Sequence, residues 1–120
     1  MFVTGTETEG RARTDGPSVM LEPNTAQTIA ISLHELATNA AKYGSLSAAD
    51  GGVEIAWSRT ADGRLSLRWI ELGGPTITPP TRRGFGTSVI ENIIVGQLRG
   101  EVRFDWRDCG LACEITLPIA

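Results

Sequence analysis

Histidine and cysteine are scarce in this chain, with one of the first and two of the second in 120 residues. Two cysteines are too few for a disulfide scaffold. Cys109 and Cys113 have no partnering His or second Cys pair to complete a zinc site, so they are expected to be inert reduced thiols of a cytoplasmic protein. One histidine limits which phosphoryl chemistry the chain can complete alone. Basic residues are not in excess: Lys plus Arg number 11 against 14 for Asp plus Glu, a formal net charge of -3. A nucleic-acid backbone is therefore not expected as partner. Long apolar runs are missing too, and a bilayer needs about 20 such residues. No membrane contact is expected, and the polar start MFVTGTETEGRARTDG does not resemble a secretion signal.

What is present is ordinary globular material, 41% hydrophobic and 21% charged, enough for one domain with a core. Residues 1–15 read as a flexible terminus or edge strand, and 16–120 as the domain. Ser18–Glu22 reads as a strand. Pro23-Asn24 reads as a helix entry with Asn24 as the N-cap. Thr25 to Tyr43 holds no Pro or Gly, and Ile29, Leu33, Leu36 and Ala40 recur on one helical face. Gly44 stands where a left-handed C-cap is expected. Val53, Ile55 and Trp57, then Leu65, Leu67 and Trp69, alternate about a turn at Ala61-Asp62-Gly63 and predict a hairpin. A second helix is expected over Thr87–Leu98. A closing hairpin follows, with Val102, Phe104 and Trp106 facing Cys113, Ile115 and Leu117. The three tryptophans read as core strand residues. Hairpins with few helices predict an α+β two-layer sandwich.

Three short segments carry the chemistry. On the long helix, Glu35, Asn39 and Lys42 fall at i, i+4 and i+7 and share one face. A carboxylate, a carboxamide oxygen and an ammonium together suit a magnesium-phosphate ligand, though a solvated helix face has the same spacing. Glu71-Leu72-Gly73-Gly74 ends a strand, where Glu71 either accepts from an exocyclic amine or stands exposed. Gly84-Phe85-Gly86 precedes a helix, where backbone N–H groups can approach phosphate oxygens.

In order, HELATNAAKYG, WIELGGP, RRGFGTSVI and a closing hairpin ending in Leu-Pro resemble the ATP-binding catalytic domain of bacterial sensor histidine kinases, a member of the Bergerat-fold group. The match is to the HWE subfamily, through His34, Trp69 and Glu71, and it covers about residues 16 to 119. The resemblance implies a mixed, mostly antiparallel sheet with helices on one face, and ATP with Mg2+ as cofactors. It implies that Asn39 holds the magnesium and Glu35 is the acid that places or activates the nucleophile. Lys42 and Tyr43 would line the phosphate and ribose side. Glu71 would accept from the adenine amine, with Gly73 and Gly74 allowing close approach of the base. Gly84, Phe85 and Gly86 would form the phosphate-side glycine box, and Arg82 or Arg83 in the lid would reach the phosphates. His34 is read as a site-shaping residue beside Glu35, not as the phosphoacceptor.

Two departures stand out. The lid between Gly74 and Gly84 is only Pro75 and TITPPTRR, and Leu111 follows Gly110 where many relatives carry Thr. The acceptor histidine would lie on a dimeric helical domain outside this chain, with a response regulator downstream. The chain is accordingly expected to be a piece of a longer sensor kinase. The rival expectations are a nucleotide-binding module without kinase activity and a serine kinase or ATPase of the same fold.

Overall fold

The computed structural model describes residues 2–9, 12–42, 44–74, 87–107 and 110–119. Strands β1 (Phe2–Glu9) and β2 (Ala12–Met20) lead into helix α1 (Pro23–Lys42). A short 3-10 turn at Ser45–Ser47 precedes β3 (Gly52–Arg59) and β4 (Arg64–Leu72). Helix α2 starts at Thr87–Glu91 and widens into a π-type turn over Asn92–Gln97. Strands β5 (Glu101–Arg107) and β6 (Gly110–Pro118) close the chain.

The strands form one sheet in the order β1-β2-β3-β4-β6-β5. Among the described strands only β2 and β3 are parallel, through Ala12–Asp15 against Val53–Ala56. The helical segment between them provides the crossover that a parallel pair needs. The result is the expected two-layer α+β sandwich with a mixed, mostly antiparallel sheet.

Alternation along the strands builds the core. Val53 and Trp57 on β3, Leu65, Leu67 and Trp69 on β4, and Leu111, Cys113, Ile115 and Leu117 on β6 are all buried. They meet Ile29, Leu36 and Ala40 of α1 and Ile90 and Ile94 of α2. The other face of the sheet is polar, with exposed pairs Arg13–Glu54 and Arg107–Asp105. Such pairs contribute little to stability. Leu36, fully buried, is a sensitive probe of the packing. Leu36→Ala should cost about 2–5 kcal/mol in chemical denaturation, from lost transfer energy and the cavity left behind.

Buried hydroxyls on α1 are satisfied within the helix. Thr28 Oγ1 donates to the Asn24 carbonyl at 3.0 Å, and Ser32 Oγ to the Thr28 carbonyl at 3.0 Å. At the sheet, Trp57 Nε1 donates to the Pro17 carbonyl at 2.8 Å. Its ring lies so close to Gly16 that a Cβ there would overlap it.

Several local expectations are corrected. Asn24 is not the N-cap, because α1 already begins at Pro23 and Ala26 N donates to the Glu22 carbonyl at 2.9 Å. Proline suits the first helical position, since its fixed φ is helical and the N–H it lacks would be unpaired there. The strand expected at Ser18–Glu22 runs earlier, over Ala12–Met20, because its pairing partners are β1 and β3. Gly44 is not a left-handed cap, having φ -109° and ψ -148°. Helix α2 is not regular to its end. Its widened turn includes Gly96, which weakens helical preference, and the chain leaves it through Arg99 at φ 56°.

Candidate functional site

The end of α1 and the end of β4 meet, and Glu71 is the point of contact. Trp69 and Glu71 are two residues apart on β4, so both side chains project to the helix-covered face. Both are only 3% exposed. Glu71 Oε2 accepts from Trp69 Nε1 at 3.1 Å, and Oε1 accepts from the backbone N–H of Ser45 at 3.0 Å. Ser45 opens the turn directly after α1, so this second bond ties the helix exit to the strand. The expectation that Glu71 either meets a ligand or is merely exposed is thereby narrowed, because it is buried.

Glycines make the space for this carboxylate. A Cβ on Gly44 would overlap Glu71 Oε1, and one on Gly110 would lie 2.6 Å from Glu71 Cβ. Gly44 is therefore needed for close approach. Gly73 has φ 70°, a conformation few other residues adopt. A Cβ there would also lie 3.2 Å from the Asp50 carbonyl oxygen.

The helix residues take graded positions. Glu35 and Asn39 are half-buried, Lys42 is exposed, and Asn39 gives its carbonyl to Gly44 N at 3.2 Å. His34 is exposed, on the side of α1 that also carries exposed Ala30 and Ile31. At 3.6 residues per turn, His34 and Asn39 point about 140° apart, whereas Glu35 and Asn39 differ by about 40°. Among the described residues no three His, Cys, Asp or Glu side chains gather as a protein-only metal site. The Asn39 carboxamide oxygen is a donor of the kind that a hard cation held mostly by phosphates and water would accept. Tyr43, Arg82, Arg83, Gly84, Phe85 and Gly86 lie outside the described residues.

Leu111, which follows Gly110, is buried in the core. Trp69 is core as expected, but its bond to Glu71 was missed. The signal was available, since a Trp and a Glu two apart on a strand share a face. The Ser45 N–H and the closeness of Gly44 and Gly110 had no sequence signal. The concavities on the polar sheet face, lined by Arg68 and Glu114 among others, hold none of these residues.

Cys113 lies near this site on β6, paired with Trp69 of β4. Burial, with help from Glu114 and Glu71, pushes its thiol from 9.0 up to about 12. A thiol with a raised native value keeps its proton where the unfolded chain releases it. Stability should therefore be unaffected by this group below pH 9.0 and decline between there and about 12, by at most about 1.4 kcal/mol per pH unit. Denaturation of the parent and of Cys113→Ala over this range checks it, the variant showing the shallower decline.

No family model matches the chain. Curated relatives cover it almost end to end. It is 36% identical over 112 residues to a blue-light-activated histidine kinase of Brucella anthropi, covering 91% of this chain and 23% of that protein. It is 44% identical over 112 residues to blue-light-activated histidine kinase 1 of Erythrobacter litoralis, covering 91% of this chain and 31% of that one. The chain thus spans 23% to 31% of these relatives' length. Among solved structures, the histidine kinase domain of an Erythrobacter litoralis blue-light activated histidine kinase superposes with a TM-score of 0.74 at 20% identity, covering 92% of this chain and 53% of that one. The catalytic domain of histidine kinase ThkA gives 0.66 at 19% identity, covering 88% and 74%. No helix among the described residues is long and apolar enough to cross a membrane. Along its length the chain is related to these histidine kinases, and its fold is that of histidine kinase catalytic domains.

Proposed function

We propose that this domain binds ATP between α1, the lid and the end of β4, and serves transfer of the γ-phosphoryl group to a histidine on a separate helical domain. From there the group passes to a response-regulator aspartate, in the cytoplasm. The observation that carries the reading is the buried carboxylate of Glu71, held where the exits of α1 and β4 converge.

The described residues have tasks that their positions support, and Tyr43, Arg83, Gly84, Phe85 and Gly86 take theirs from the resemblance alone. Glu71 accepts from the adenine amine through lone pairs that Trp69 and Ser45 leave unused. Gly73 and Gly74 let the base approach the backbone. Asn39 directs an oxygen toward the phosphates, with Glu35 beside it on the same face as the acid that places the nucleophile. Lys42 supplies a point charge at the helix end, with Tyr43 next to it along the ribose side. By the resemblance, Gly84, Phe85 and Gly86 belong to the phosphate-side glycine box and Arg83 reaches the phosphates. His34 shapes the outward side of the helix beside Glu35. Magnesium, when bound, neutralises phosphate charge. What the chain itself does in phosphoryl transfer is position the nucleotide and complement its charge.

Calorimetry with Mg-ATP should give a Kd in the micromolar range or weaker, about -8 kcal/mol or less favourable. Absence of heat and of any thermal shift at saturating Mg-ATP would refute the reading.

A further inference from the structure

We propose that Trp69 is a positioning residue for base selection, acting through Glu71. This rests on the reading above that Glu71 faces the adenine amine. Both Glu71 oxygens already accept one N–H each, from Trp69 Nε1 and from Ser45 N. An ionised carboxylate has about four lone-pair sites, so two remain for a ligand. The two donors come from different elements, a strand and a helix exit, and they hold the carboxylate plane from both ends.

Glycine backbone packs closely against the carboxylate from both sides. Gly44 and Gly110 crowd the side chain so closely that neither position has room for a Cβ. The Trp69 indole is itself fixed, being 3% exposed and flanked on the sheet by Ile55 and Cys113. The site is thus an immobile acceptor. An amine finds a preoriented partner, while a carbonyl in the same place meets lone pairs it cannot move aside. A carboxylate free to rotate could withdraw from the carbonyl, and discrimination would weaken. Trp69 therefore governs how strictly an amine-bearing purine is preferred over a carbonyl-bearing one.

The test compares ATP and GTP affinities, with Mg2+, for this chain and its Trp69→Phe, Glu71→Gln and double variants. The parent should prefer ATP by on the order of tenfold or more. Trp69→Phe keeps the aromatic bulk and removes the N–H, and the preference should fall to about two- or threefold. Glu71→Gln should abolish it, and adding Trp69→Phe should change it no further. In denaturation the double variant should be less destabilised than the sum of the singles, because Trp69→Phe removes the indole N–H that opposes the new amide. In spectra of 15N-labelled protein, the Trp69 indole signal should shift in Glu71→Gln and on adding ADP.

A folded Trp69→Phe with the parental preference, beside a Glu71→Gln that loses it, overturns the positioning role and leaves the base contact standing. A Glu71→Gln that keeps the preference overturns both. If Trp69→Phe does not fold, Gly44→Ala disturbs the same carboxylate from the helix side. An unchanged preference there overturns the proposal, and a reduced one supports it.

Discussion

Replacing Asn39 with Ala is expected to weaken Mg-ATP binding by ten- to a hundredfold, or about 1.4–2.8 kcal/mol, without weakening the fold. Asn39 is half-buried near the end of α1, and its backbone carbonyl shares Gly44 N with the Ala40 carbonyl, at 3.2 and 3.1 Å. The substitution leaves that bond in place. Alanine is also the better helix former, so the melting temperature should hold or rise slightly. What disappears is a neutral oxygen donor one turn from Glu35. Asp at this position keeps an oxygen but adds negative charge beside phosphates, so it should not rescue binding fully. Titration calorimetry of the parent, Asn39→Ala and Asn39→Asp, each with a thermal melt, is the measurement. Equal Mg-ATP affinity in Asn39→Ala would remove the residue from the site.

The chain alone should take no label from γ-phosphate-labelled ATP. Its one histidine is His34. In-line transfer needs the nucleophile about 3–3.5 Å from phosphorus and opposite the leaving oxygen. His34 is exposed on α1, about 140° around the helix from the Asn39 side chain that would face the phosphates. A rigid helix cannot present both groups to one phosphorus atom. Label should appear only on a His-bearing helical domain supplied in trans or in the same chain. Stoichiometric, acid-labile label on this chain, lost in His34→Gln, would make His34 the acceptor and reverse the assignment.

Much of the fold was legible where burial on one face leaves a period in the residues. Ile29, Leu36 and Ala40 marked α1, and the alternation of Val53, Trp57, Leu65, Leu67 and Trp69 marked the β3–β4 hairpin with its core face. The closing hairpin was legible in the same way. The errors fell where a local signal competed with a contact distant in sequence. Asn24 is a good capping residue, yet Pro23 is equally suited to the first helical turn and takes it. Gly44 looked like a left-handed terminator because glycine usually serves that end of a helix. The reason for a glycine there is Glu71, far along the chain on β4, and no local pattern records it.

Residue periodicity was therefore sufficient for the main elements and the α+β class, while the family and the candidate residues on α1 and β4 came from the resemblance of three short segments. These are local properties, set by side chains three, four or two positions apart. Tertiary structure alone decided the strand order, with β6 inserted between β4 and β5 and β2 running parallel to β3. It alone decided that Glu71 is buried, that Trp69 and Ser45 hold its two oxygens, and that Gly44 and Gly110 leave it room. Pairing across a sheet and packing of a helix exit on a strand end join residues that chain connectivity leaves far apart. Their geometry arises only when the whole core closes and each buried polar group must find its partner.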